Sequence, residues 1–168
     1  MKTFSWLVLR AVFGGYVLYA MYMNLSYWSW TVQHTAILTG EGPASLFAAG
    51  GLAIMAIGGL SILLGVYGRV GACLLLVFIA PGTVIHFRER DMTVGFRADV
   101  VKGLPVEETS PPVAALNELA GSAYAGHHSS GLKNLVLVAV CLLIAAHGTG
   151  AFSLLRDKRD ASPETTPR

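Results

Sequence analysis

Cysteine is scarce in this chain, and the familiar catalytic and nucleotide-binding motifs are missing from it. Its two cysteines, Cys73 and Cys141, each lie inside an apolar run, with no CxxC spacing and no Cys/His cluster nearby, so neither reads as a metal ligand. Counted at about 1.5 Å per helical residue they fall at different depths, and no disulfide is expected between them. There is no glycine-rich phosphate loop, no GxSxG elbow, no HExxH, no haem-attachment CxxCH and no carboxylate pair within an apolar run, so hydrolytic and nucleotide-driven chemistry lack their parts. A bis-histidine haem lacks its geometry, because only His86 and His147 fall in expected helices, at opposite ends. Charge is thin as well: 13% of residues are Asp, Glu, Lys or Arg, with a net +2. The cations sit beside apolar segments and form no stripe that could track phosphates, so nucleic acid is not an expected partner.

What the chain has in abundance is apolar length. Of its 168 residues 54% are hydrophobic, and the mean hydropathy is +0.57, a composition that makes lipid part of the solvent. A hydrocarbon core of about 30 Å takes about 20 apolar residues per helix. Four runs reach that length: Phe4 to about Asn24, Ala44 to Tyr67, Val70 to about Phe87, and Leu132 to Leu155. The first follows Lys2 in the manner of a secretory signal, but it carries Arg10, is long, and is followed by no small-x-small cleavage site; it reads as a retained helix. Tyr27, Trp28 and Trp30 beyond it form an interfacial aromatic belt, and Thr39 to Pro43 is a turn. In the second run Gly51, Gly58 and Gly65 recur every seven residues, which places them on one face suited to close helix packing. Pro81-Gly82 is expected to kink the third.

Between the third and fourth runs, residues 88–131 turn charged and proline-containing, with Pro105, Pro111 and Pro112, and read as an extramembrane loop holding at most a short interfacial helix over 116–125. The tail 157–168 reads as disordered. The expected architecture is therefore all-α: one integral membrane domain over 1–156, an antiparallel four-helix bundle with one long outer loop. Lys2, Arg69, Arg156, Lys158 and Arg159 share the side of the two termini, a positive-inside bias that favours both termini in the cytoplasm.

With that topology His34, His86, His127 and His128 all fall on the outer side. Converging imidazoles can make a metal site or relay protons. No HxxxH spacing supports a metal, so His34, His127 and His128 are only weak metal candidates, and His127-His128 reads more readily as a solvated loop pair. His86 stands out, because it lies in an apolar helix just past Pro81, where an imidazole can hydrogen-bond a quinone carbonyl and pass it a proton. A helix-end histidine bonded to backbone or water is the plainer alternative. Arg10 either snorkels to the headgroups or turns into the bundle, where, with no carboxylate in the apolar runs, a ligand, a tyrosine or backbone carbonyls must receive it. Tyr16, Tyr19 and Tyr22 recur every three residues, as a cavity flank or as packing and belt residues. Lys133-Asn134 caps the fourth helix, leaving Asn134 to headgroups or a neighbour; His147 reads as structural.

Four stretches together resemble the DoxX family of small four-helix membrane proteins: LRAVFGGYVL in the first helix, the hairpin GGLSILLGVYGRVGACLLLVF, His86-Phe87, and KNLVLVAVCLLIAAHGTGAFSL in the fourth helix. The match covers all four helices and not the third loop. The resemblance implies a bacterial inner-membrane protein. Through the related DoxD family of thiosulfate:quinone oxidoreductase it further implies a subunit of a quinone-linked redox complex. It carries over Arg10, His86, Lys133 and Asn134 as positions typical of the family. Together these readings give a membrane redox component that binds quinone near its outer face through Arg10, Tyr16, Tyr19, His86 and Asn134, with His86 the catalytic candidate. No electron carrier is visible in the chain, so an electron-donating protein partner is implied. The alternative is a non-catalytic subunit or assembly factor that docks a partner through 88–131.

Overall fold

The computed structural model describes residues 2–103 and 110–149, and every regular element among them is an α-helix. These are α1 (Lys2–Ser26), α2 (Trp28–Thr39), α3 (Ala44–Leu64), α4 (Gly68–Gly103) and α5 (Pro111–His147). Four of them, α1, α3, α4 and α5, are long and apolar enough to cross a membrane. In hydrocarbon every backbone N–H and C=O must be satisfied within the segment, which a helix does and an open strand does not. The chain is thus a multi-pass membrane protein, as its hydropathy requires.

It comprises two compact units: Met1–Ile79 with Val138–Arg168, and Ala80–Leu137. In α4 the division falls between Ile79 and Ala80, one residue ahead of Pro81, which lies inside the helix.

In the first unit α1 and α3 run antiparallel and touch. A Cβ on Gly14 would lie 2.9 Å from Leu63 Cβ and 3.0 Å from Gly59 O, while Asn24, further along α1, reaches Met55, further back along α3. Only hydrogen fits at such a contact, the small-residue packing that lipid-embedded helices use in place of a hydrophobic driving force. Gly51 and Gly58 of the seven-residue repeat do face a neighbour, meeting Phe78 and Leu75 of α4. Gly65, the third, has another job. It ends α3 in a left-handed conformation (φ 70°), with its N–H returning to Ile62 O and that of Val66 to Ser61 O, a helix stop that favours glycine. Phe13, Val17, Leu52, Met55, Ile62, Leu75, Cys141 and Ile144 form the buried core of this unit.

The belt residues Trp28 and Trp30 lie on α2, residues 28–39, a 12-residue helix with no buried residue and no charge, and the expected turn follows it over residues 40–43. The helix is too short to span, which is why a search for 20-residue runs passed over it.

The larger correction concerns residues 88–131. The expected loop is helix for nearly its whole length: α4 continues from Phe87 to Gly103, and α5 begins at Pro111, not Leu132. Pro111 and Pro112 open α5, where a missing N–H costs nothing because the first helical donors have no intrahelical partner anyway. The charged stretch RERDMTVGFRADVVKG changes hydropathy without breaking the helix. At about 1.5 Å per residue the 36 and 37 residues of α4 and α5 measure about 54 and 56 Å, against about 30 Å of hydrocarbon. Both helices therefore carry far more length than a span needs. The expected 116–125 interfacial helix is simply part of α5, and Lys133 and Asn134 sit within α5 instead of capping it. The fourth helix ends at His147; its expected continuation to Leu155 and the tail 157–168 lie outside the described residues, apart from Gly148 and Thr149.

Candidate functional site

In the second unit the contacts between α4 and α5 fall at descending numbers on one helix as they rise on the other, so the two run antiparallel. Gly82 faces Asn134, Phe87 packs on Gly131, Arg90 reaches His128, and Arg97 donates from Nε to Asn117 Oδ1 at 2.7 Å. Thr83, Ile85 and Val113 are buried within this unit.

Between the Phe87–Gly131 contact and the Arg97–Asn117 hydrogen bond lies a polar cluster that the sequence pass only half saw. Its centre is Glu89. One carboxylate oxygen, Oε2, lies 2.9 Å from His127 Nδ1 and 3.7 Å from His86 Nδ1. The two imidazole centroids are 6.2 Å apart. All three side chains are largely shielded, at 17% exposure for His86, 14% for Glu89 and 26% for His127. The local reason is helical spacing: His86 and Glu89 are three apart and share a face of α4, and α5 lays His127 across them.

A second layer surrounds this centre. Arg90 pairs with Asp91 at 2.6 Å, its guanidinium carbon lies 5.3 Å from the Phe87 ring centroid and 5.8 Å from that of Tyr124, and Nη1 is 3.5 Å from His128 Nδ1. His128 stacks on Tyr124 with 8° between the planes. Arg90 is thus neutralised by Asp91 and held over aromatic faces, the arrangement a planar guanidinium favours.

Neither His127 nor His128 belongs to a solvated loop; both are helical and engaged. His34, in the first unit, lies on α2, where its ring stacks on Trp30 at 4.5 Å. Asn134 is placed on α5 with its amide towards Gly82, 3.5 Å from where a Cβ would stand. His147 is exposed on the last turn of α5, its ring tilted against Trp6 at 6.5 Å.

Arg10 belongs to a different structure. It is 3% exposed, so it does not snorkel, and its three nitrogens donate to backbone carbonyls: Nε to Ile62 O at 3.1 Å, Nη2 to Leu63 O at 3.0 Å and Nη1 to Thr149 O at 3.4 Å. Two of those acceptors belong to the last turn of α3, where the helix leaves carbonyls without intrahelical partners and the dipole favours a cation. Of the receivers open to Arg10 from sequence, the carbonyls are the ones it takes.

The tyrosine row does not line one flank. Residues three apart on a helix are offset by about 60°, so Tyr16 and Tyr22 point about 120° apart. Tyr16 is half-buried, while Tyr19 and Tyr22 are 60% and 61% exposed. An open depression of about 390 Å³ in this unit is lined instead by Met23, Asn24, Tyr27 and Trp30, and these bring to it no carboxylate and no imidazole.

The group that sequence reasoning missed is Glu89. Its signal was the His-x-x-Glu spacing at 86–89, readable only once the helix is known to continue past Phe87. Chemically, a carboxylate flanked by two imidazoles can orient both rings, exchange protons, or supply three donors to a cation. A scan of protein-family models, a search of curated proteins and a search of solved structures each found no match for the chain.

Proposed function

We propose that this chain is a quinone-linked redox component of a membrane, akin to the DoxX family it resembles in sequence, in a bacterial inner membrane with both termini in the cytoplasm. In this reading the quinone head group binds beside His86. The observation that carries it is the His86–Glu89–His127 cluster, placed where the apolar run of α4 gives way to charge at Arg88. A quinone partitions into lipid by its tail and needs a polar, proton-exchanging partner for its head at the edge of the apolar region. An ionisable group at that depth marks such function more often than structure. An imidazole such as that of His86 can donate to a quinone carbonyl or accept from the hydroxyl of a quinol. Asn134, on the facing helix, brings an amide able to donate to a quinone carbonyl. Arg10 and Tyr19 drop out of the ligand set, the first because its donors are engaged by carbonyls and the second because it faces outward. An electron-donating protein partner completes the reading.

The test is the quinone content of protein purified in mild detergent, by extraction and chromatography, wild type beside His86→Ala. Stoichiometric quinone in the wild type and its loss from the variant are expected. Wild-type protein that is folded and quinone-free would overturn the reading.

A non-catalytic docking subunit is the second reading, favoured by one observation. Met92, Phe96 and Leu119 are exposed at 59%, 66% and 68% on the parts of α4 and α5 that exceed the length of a span. Here Met92→Glu with Phe96→Glu would abolish function while His86→Ala leaves it intact, the reverse of the quinone expectation.

A further inference from the structure

We propose that His86, Glu89 and His127 form a binding site for a divalent transition-metal cation of the Zn²⁺ type. Three observations converge on it. First, the donor set is right: two imidazole nitrogens and one carboxylate oxygen, with the ligand types that bind zinc at about 2.0–2.2 Å and leave a fourth position for water.

Second, each imidazole stands at about a ligand's distance from one shared carboxylate oxygen, while the two rings must close in on each other to share an ion. Donors on a tetrahedral centre with such bonds stand about 3.3 Å apart, and Glu89 Oε2 lies 2.9 Å from one imidazole nitrogen and 3.7 Å from the other. The ring centroids, at 6.2 Å, are wider than two imidazoles on one tetrahedral ion, so binding draws His86 in towards Glu89. Third, the elements are those from which helical bundles build metal sites, an i, i+3 His/Glu pair on one helix with another ligand from the helix facing it. His86 and Glu89 supply the pair and His127 the facing ligand. The neighbouring cation does not forbid the ion, because Arg90 is paired to Asp91 and lies over Phe87 and Tyr124. His128 stays outside the ligand set, its ring stacked on Tyr124 and its Nδ1 towards Arg90.

The inference draws on the same cluster as the quinone reading but needs no quinone, and the two are separated by measurement. The metal takes Nδ1, the nitrogen that faces Glu89. A metal on Nδ1 would fix the ring's proton on Nε2 and make that nitrogen a donor.

The experiment uses the full chain in mild detergent, freed of any histidine tag and stripped with EDTA. ZnCl₂ is titrated by equilibrium dialysis with elemental analysis, and CoCl₂ serves as a spectroscopic stand-in. One Zn²⁺ per chain is expected, with affinity reduced about 10-fold or more in Glu89→Gln and in His127→Ala and unchanged in His128→Ala. Co²⁺ should give the intense visible absorption of a four-coordinate site. Thermal melting of each variant checks folding; should Glu89→Gln not fold, the wild-type Co²⁺ spectrum and His127→Ala carry the test. No binding by the wild type, or binding that Glu89→Gln and His127→Ala leave untouched, would overturn the proposal. Quinone is measured on the same samples: metal without quinone removes the quinone reading and keeps this one, and quinone without metal does the opposite.

Discussion

Two places in this chain shield ionisable side chains from solvent, and they satisfy them in opposite ways. In the first unit Arg10 gives its nitrogens to the carbonyls of Ile62, Leu63 and Thr149. A helix end needs a cation and the backbone supplies the acceptors, so the charge is consumed by the fold. In the second unit Glu89, His86 and His127 face one another as side chains. None of the three caps a helix end. A charge satisfied by backbone is architecture; charges satisfied by one another are available to a ligand. The contrast ranks the consequences of substitution.

The largest loss of stability should come from Arg10→Ala. It removes the cation's hydrogen bonds to the carbonyls of Ile62, Leu63 and Thr149, and hydrogen bonds to a charged group contribute about 1.5–3 kcal/mol each, so a loss of about 3 kcal/mol or more is expected by thermal unfolding in detergent. Arg10→Lys should recover only part of it, since an ammonium cannot spread three donors as a planar fork does. Full stability of Arg10→Ala would break the assignment of this residue to architecture. Next comes Gly58→Leu. A Cβ there already meets Leu75 Cγ at 2.7 Å and Gly71 O at 3.0 Å, and overpacking of this kind costs about 1–3 kcal/mol, read in the same melts.

Glu89→Gln should do the reverse of Arg10→Ala. Glu89→Gln keeps an acceptor oxygen beside His127 and uncaps no helix end, so it should cost less in the melt than Arg10→Ala, while quinone content and Zn²⁺ binding respond strongly. A Glu89→Gln protein as unstable as Arg10→Ala would erase the distinction between the two regions and make the cluster a structural device.

How legible this was in the sequence differs between the two regions for a physical reason. Membrane spans announce themselves through hydropathy, because the bilayer imposes length and apolarity on each segment separately; all four were legible. The close packing at Gly51 and Gly58 was legible too, since a seven-residue repeat is nearly two helical turns. What failed was the inference that a change of hydropathy is an end of helix. Arg88 to Gly103 leaves the apolar run while keeping helical residue types, and Pro111-Pro112 opens a helix as readily as it closes one. With the helices cut short, Glu89 lost its register with His86, and His127 lost its place on a facing helix, so the site dissolved into a loop. Gly65 shows the same limit in miniature, for a repeat can say which residues share a face and not which one ends the helix.

The smallest expected effect falls on the tyrosines of α1. Tyr19 is 60% exposed in a lipid-spanning segment, and its hydroxyl is offset from that of Tyr16 by the helix rotation. Tyr19→Phe removes one oxygen from the outer surface, and substitutions remote from buried features stay within about 0.5 kcal/mol; melting temperature and quinone content should both match the wild type. Tyr16, half-buried on the inward side, is the sharper partner, and Tyr16→Phe measured beside Tyr19→Phe separates position from chemistry. If Tyr19→Phe alone depleted quinone, the ligand would have to lie against the outer face of α1. The first unit would then hold the binding chemistry, and the His86–Glu89–His127 cluster would keep only its metal.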